Sequence, residues 1–111
     1  MALHATLHCD ANASVAFTFT VTNSSDGVID LEFTSGNVAD VAVYPGSKEI
    51  PAWRASDGMM FTQALQTITL DPGECLERTY EWSDASSGKY RAEGTLLATN
   101  VDVSATCQFR V

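Results

Sequence analysis

The feature that most constrains this chain is its two-residue alternation. In Val15-Ala16-Phe17-Thr18-Phe19-Thr20-Val21-Thr22 every odd position is large and apolar, and every even one is Ala or Thr. Side chains of an extended strand point to opposite sides in turn, whereas a surface helix needs apolar positions every three or four residues. Ile29, Leu31 and Phe33 likewise alternate with Asp30, Glu32 and Thr34. Near the C-terminus Val101, Val103, Ala105, Cys107, Phe109 and Val111 alternate with Asp102, Ser104, Thr106, Gln108 and Arg110. No window of useful length carries a helical stripe. Each segment therefore has one dry and one wet face, as antiparallel sheets open to water on one side require.

Turn chemistry separates these runs at short intervals. Asn23 to Gly27, Ser35-Gly36-Asn37, Pro45-Gly46-Ser47, Ser56-Asp57-Gly58, Asp71-Pro72-Gly73 and Ser83 to Gly88 all carry Gly, Pro, Asn, Asp or Ser. Asp71-Pro72-Gly73 has a stated mechanism: proline presets φ near −65° and glycine accepts positive φ after it. The pattern predicts about eight or nine strands, near residues 3–9, 14–22, 28–34, 40–44, 49–54, 60–70 (with room for a break), 74–82, 88–98 and 101–111. The expected architecture is all-β, an immunoglobulin-like Greek-key sandwich of antiparallel strands, with a barrel as the alternative. The 111 residues suit a single domain over 1–111, and a hydrophobic share of 45% is enough for a real core. Arg78 falls on the face of Leu76 and Tyr80, so it needs a sheet edge or an acidic partner, because an isolated buried guanidinium is costly.

Charge narrows the function classes. Fourteen acidic residues against six basic ones leave a net charge of −8, which repels phosphate backbones and anionic membrane surfaces. No nucleic-acid partner is expected. No membrane is expected either, since the apolar runs are only a few residues long. The N-terminus alternates like a strand and lacks the basic and apolar parts of a secretory signal. With Met1 as the native start, the expected location is cytoplasmic; a chain trimmed of its leader would read the same. Cys9, Cys75 and Cys107 are odd in number and without CxxC spacing, which favours buried free thiols over a disulfide framework or structural zinc. A Cys9–Cys107 pairing between terminal strands is the alternative.

The residues that could carry chemistry do not converge. His4 and His8 lie four apart in a strand, roughly 13 Å at about 3.3 Å per residue, too far to share a zinc ion held at about 2 Å. Both fall on the polar face. No GxSxG elbow is present; a Cys107–His4 pair is a geometric option without a motif. No glycine-rich loop opens a helix to cradle phosphate. Asp26, Asp40, Asp57 and Asp84 lack the spacing of a calcium loop and read as solvated surface charge. The chain is therefore expected to be no enzyme, with no cofactor and no metal.

Trp53, Trp82, Phe61 and Tyr90 read as core. Met59-Met60 is harder to bury, because neighbouring strand residues face opposite ways and the pair follows Ser56-Asp57-Gly58. One of them is expected to project from a loop, where a flexible thioether suits a protein contact. The segment Asp57, Gly58, Met59 and Met60 is the candidate contact loop.

Placed in order, these pieces resemble a known family. Phe17 to Ser25 resembles a "V-T-N" strand and turn, and Leu31-Glu32-Phe33-Thr34-Ser35-Gly36 with Asp40 to Val43 resembles an "F-x-S-G" segment. The most distinctive portion is Trp53-Arg54, Gly58, Met60-Phe61-Thr62-Gln63-Ala64 and Leu70-Asp71-Pro72-Gly73-Glu74, completed by Tyr80, Trp82 and Gly88-Lys89-Tyr90. Together, over roughly residues 15–111, they resemble the intracellular proteinase inhibitor family of BsuPI type. The resemblance implies an immunoglobulin-like sandwich and inhibition of an intracellular subtilisin-type serine protease; the oligomeric state stays open, with a monomer favoured. It supplies no reactive-site residue, so the contact loop rests on loop placement alone. The alternative is a sandwich module for protein interaction or adhesion, without inhibitory activity.

Overall fold

The alternating runs fold as strands, and the turn clusters fall between them. A computed structural model describes residues 3–12 and 14–111. Met1 and Ala2, read above with the first alternating segment, lie outside the described residues. In chain order the strands are β1 (Leu3–Ala11), β2 (Val15–Asn23), β3 (Ile29–Phe33), β4 (Ala39–Pro45), β5 (Trp53–Arg54), β6 (Gln66–Leu70), β7 (Cys75–Trp82), β8 (Lys89–Leu96) and β9 (Ser104–Arg110). All pairings are antiparallel, in sheets ordered β1-β2-β7, β3-β6 and β5-β4-β8-β9.

The connectivity is nested. β2 pairs with β7 and β3 with β6, so the β4–β5 excursion sits inside a long ribbon folded back on itself. This gives the Greek-key sandwich with an immunoglobulin-like outline. The four-stranded sheet faces the β1-β2-β7 sheet, and the alternating residues of both meet between them. Val15, Phe17, Phe19 and Val21 of β2 are buried, as are Val41 and Val43 of β4 and Ala92 and Leu96 of β8. At Gly94 the sheets approach so closely that an added Cβ would stand 2.7 Å from Phe19 Cδ1.

Five rings form a closed circuit at one end of the core: Phe17 against Trp53, Trp53 against Trp82, Trp82 against Tyr90, Tyr90 against Phe109, and Phe109 against Phe17, at centroid distances of 5.2–5.9 Å. Offset and edge-on contacts at such distances add to the area that the rings bury. They join strands from both layers and hold the short β5 in place. Trp82 and Tyr90 are buried, and Trp53 is half-buried against the core, in agreement with the expectation for these residues.

Among the described residues one polar residue lies wholly inside. Asn23, at 0% exposure, ends β2 and ties both corners of the ribbon. Its Nδ2 donates to Gly27 O at 2.8 Å and Leu70 O at 2.9 Å, and its Oδ1 accepts from Ser25 N at 2.9 Å and Ser25 Oγ at 2.7 Å. Its backbone exchanges bonds with Glu74 O and Gly73 N. The Asp71-Pro72-Gly73 turn forms as predicted, with Gly73 at φ 83° and Glu74 N bonded to Asp71 O.

Three expectations need correction. The strand expected over 49–54 contracts to Trp53–Arg54, because Pro51 has no N–H to donate and Ile50 stands in solvent. The strand expected over 60–70 contracts to Gln66–Leu70; Met60 and Leu65 do not return to the core, and the segment before Gln66 runs as a loop. Finally, Cys9 and Cys107 are not free thiols but form a disulfide with a Cα–Cα distance of 6.5 Å. β1 and β9 lie at the edges of opposing sheets, and the half-buried cysteines meet there, which no spacing rule announces. Cys75 is free but exposed rather than buried.

Candidate functional site

β5 leads directly into the segment that carries the methionines. Past Arg54 the chain keeps its antiparallel course beside β4: Ala55 N donates to Val41 O at 2.9 Å. At the next step a side chain takes over. Asp40 Oδ1 accepts from Ser56 N at 3.0 Å and from Val41 N at 2.9 Å, and Oδ2 accepts from Ser56 Oγ at 2.6 Å. Arg54 Nη1 approaches Oδ2 at 3.9 Å. The Asp40 side chain is 14% exposed, so the reading of Asp40 as solvated surface charge is overturned: its carboxylate is the acceptor that closes this corner. Charge-assisted bonds of this kind are among the stronger ones.

Two tight turns follow, with Asp57 N bonded to Arg54 O and Met59 N to Ser56 O, each at 3.1 Å. Gly58 sits at φ 76°, a conformation an L side chain rarely adopts. Beyond the methionines the chain is held again, by Gly36 N donating to Thr62 O at 2.9 Å. A Cβ on Gly36 would meet Thr62 Oγ1 at 2.7 Å, so glycine is what permits this approach. Gln66 Nε2 then bonds Ser35 O. The segment from Ser56 to Thr62 is thus clamped at both ends by one stretch, Gly36 to Asp40.

Between the clamps the side chains divide. Met59 and Phe61 line a pocket of about 130 Å³ with Val38, Ala55, Arg78 and Tyr80. Met60, between them, does not. Met59 is 58% exposed and Met60 97% exposed, and Leu65 further along is 84% exposed. Asp57 and Gly58 are exposed at the turn. Phe61, expected in the main core, is half-buried in this pocket. Arg78 lies on β7, the edge of its sheet, exposed and bonded to Glu77 O, which resolves its position in favour of the edge. Tyr80 has its hydroxyl pKa raised above 10, first by burial and then by the nearby Asp40 charge, with Arg78 opposing.

Replacing Asp40 by alanine should free Ser56 and the buried amides it serves. The expected cost is about 2–3 kcal/mol, read as a lower denaturant midpoint, with new protease cleavage between residues 56 and 62. An unchanged midpoint and an uncut loop would show that the turns alone hold the segment.

The other candidates stay apart. His4 and His8 are both exposed on β1, facing outward. Asp26, Asp57 and Asp84 are exposed. Among the described residues no group of three or more His, Cys, Asp or Glu side chains is placed to hold a metal ion. No helix among them is long and apolar enough to cross a membrane.

Comparison with known proteins decides the family. The model of the intracellular proteinase inhibitor family, BsuPI, matches residues 3–101. The chain belongs to the intracellular proteinase inhibitor family. No curated protein matches it. Solved structures share the fold at low identity. The CARDB domain of a Pyrococcus furiosus protein, in complex with di-metal ions, is 19% identical with a TM-score of 0.52, over 98% of this chain and 86% of that one. A penta-heme cytochrome c552 from Thermochromatium tepidum is 12% identical with a TM-score of 0.58, over 97% and 40%. A β-glucosidase from Kluyveromyces marxianus, in complex with glucose, is 10% identical with a TM-score of 0.52, over 98% and 14%. This chain therefore spans 14% of the β-glucosidase and 40% of the cytochrome, and these likenesses concern the fold alone.

Membership gives the inhibitor-family motifs a structural meaning. Asn23 of "V-T-N" is the corner lock, Gly36 of "F-x-S-G" is the outer clamp, and Asp40 is the inner one. The clamps were not singled out from the sequence, because Gly36 and Ser56 are ordinary turn residues until the fold sets them beside Thr62 and Asp40. A weak signal exists: Asp40 is the one acidic residue directly preceding the apolar run Val41-Ala42-Val43.

Proposed function

We propose that the protein is a non-enzymatic inhibitor of a subtilisin-type serine protease, and that the loop carrying Asp57, Gly58, Met59 and Met60 enters the protease's cleft. Family membership supports the inhibitor role. The observation that carries the loop assignment is the clamped span from Ser56 to Thr62, which presents Met60 to solvent at 97% exposure. Past the turn that ends at Met59, the chain is in no ladder of its own and can add to the cleft by backbone hydrogen bonds, while a side chain fills the specificity pocket. Clamping at both ends means that little loop entropy remains to be lost on binding. The site needs no cofactor and binds one protease per chain.

The test is titration of a subtilisin-type protease by the wild type and by a Met59→Ala/Met60→Ala variant. The wild type should abolish activity near one-to-one. Loss of an anchor worth at least 2 kcal/mol raises the inhibition constant by about thirtyfold or more. Equal inhibition by the two proteins would remove this loop from the mechanism.

A second reading draws on the Cys9–Cys107 bond. Disulfides persist in oxidising surroundings and are rare in reducing cytosol, which favours an interaction or adhesion module outside the cell over the cytoplasmic inhibitor. The same titration separates them, since such a module leaves the protease fully active.

A further inference from the structure

The two methionines do different work. We infer that Met60, not Met59, sets which protease is bound, and that oxidation of Met60 to its sulfoxide switches the contact off; this rests on the inhibitor reading above.

Three observations lead there. Met59 and Phe61 both line the pocket beside Tyr80 and Arg78, and Met60 does not. Met60 is 97% exposed, so its side chain gains nothing from the folded protein that carries it. It also sits between two fixed points, the turn bond from Met59 N to Ser56 O and the bond from Gly36 N to Thr62 O. Met59 and Phe61 therefore seat the loop from behind, and Met60 is the side chain free to enter a partner. An unbranched, polarizable thioether fits a deep apolar pocket better than a flat or charged one. The target class is a protease whose specificity pocket accepts long unbranched apolar side chains.

The same exposure makes the sulfur accessible. With a peroxide as oxidant, the Met60 Sδ lone pair takes one oxygen atom. The O–O bond breaks, the thioether is oxidised by two electrons, and hydrogen peroxide is reduced to water. The product is a polar, chiral sulfoxide. Burying that S=O in an apolar pocket without a hydrogen-bond partner costs roughly ten- to hundredfold in affinity.

The experiment uses the full chain, a subtilisin-type protease and dilute hydrogen peroxide, with oxidation at each methionine quantified by peptide mass spectrometry. In the wild type, modification of Met60 should raise the inhibition constant roughly ten- to hundredfold. A Met59→Leu variant should respond to peroxide as the wild type does. A Met60→Leu variant should bind somewhat more weakly but lose the peroxide response. Met60→Arg should weaken inhibition by a hundredfold or more, with thermal unfolding unchanged because the position is solvent-exposed. If the wild type inhibits but Met60→Arg inhibits equally, or if Met60→Leu still responds to peroxide, this inference fails while the inhibitor reading stands. If the wild type inhibits no subtilisin-type protease, the inhibitor reading fails and this inference falls with it.

Discussion

Exchanging Cys9 and Cys107 for serine should lower the unfolding free energy by about 4 kcal/mol. The bond joins residues 98 apart in sequence, and closing a ring of about 100 residues removes some 4.7 kcal/mol of unfolded-chain entropy in the loop-closure account. At about 2.1 cal/mol/K of unfolding entropy per residue, the midpoint of this 111-residue chain should fall by roughly 15–20 °C. The wild type in a thiol reductant should melt with the double variant, whereas the Cys75→Ser protein should melt with the untreated wild type. Coincident melting of the wild type with and without reductant would remove the bond from the stability of the fold. The magnitude follows from placement: the bond ties the edge strands of two facing sheets, where β1 and β9 lie side by side without a shared ladder.

Asn23→Ala should cost about 3–4 kcal/mol, the largest effect expected from a single polar substitution here. Truncation leaves the buried Leu70 O without its Nδ2 donor, and takes one of two donors from Gly27 O and the shared acceptor from the part-buried Ser25. Each buried group left unpaired costs about 1–3 kcal/mol, and part of the sum is recovered by relaxation. Asn23→Asp separates hydrogen bonding from shape. It keeps Oδ1 for Ser25 but turns a carboxylate oxygen toward two carbonyls, so at neutral pH it should be at least as unstable as the alanine variant. Acidification, which restores a donor to the protonated carboxyl, should bring part of that stability back. Chemical denaturation at pH 7 and pH 4 measures both. Midpoints equal to wild type for both variants would show that the ribbon's corners hold without this residue.

These two locks bear on the contact loop as well. The β4–β5 excursion sits inside the ribbon that Asn23 closes, and the clamps at Gly36 and Asp40 lie on the connection between β3 and β4 and on β4 itself. A loop that is to enter a cleft without rearranging needs a base that does not yield. The ring circuit around Trp53 holds the other end of β5.

Much of this is legible in the sequence. Period-two alternation marked β2, β3 and β9 and their inward faces correctly, because the two sides of a strand must differ wherever one is buried. Asp71-Pro72-Gly73 announced its own turn. Reading failed where pairing rather than pattern decides. The segment from Met59 to Leu65 has β-like composition but takes up no regular ladder, so extended-looking residues ended as a loop. Free thiols were the favoured reading of Cys9 and Cys107 and their pairing only the alternative, because their meeting depends on two sheet edges being folded against each other.

By itself the chain determined the wet and dry faces of β2, β3 and β9, where it turns, and that strands rather than helices form, since each of these follows from neighbours a few residues apart. Tertiary structure alone decided that Asp40 reaches Ser56, that Gly36 admits Thr62, that the terminal cysteines join, and that Met60 rather than Met59 stands clear. Each of those depends on groups distant in sequence being brought within a few ångströms, and short-range pattern holds no record of such distances.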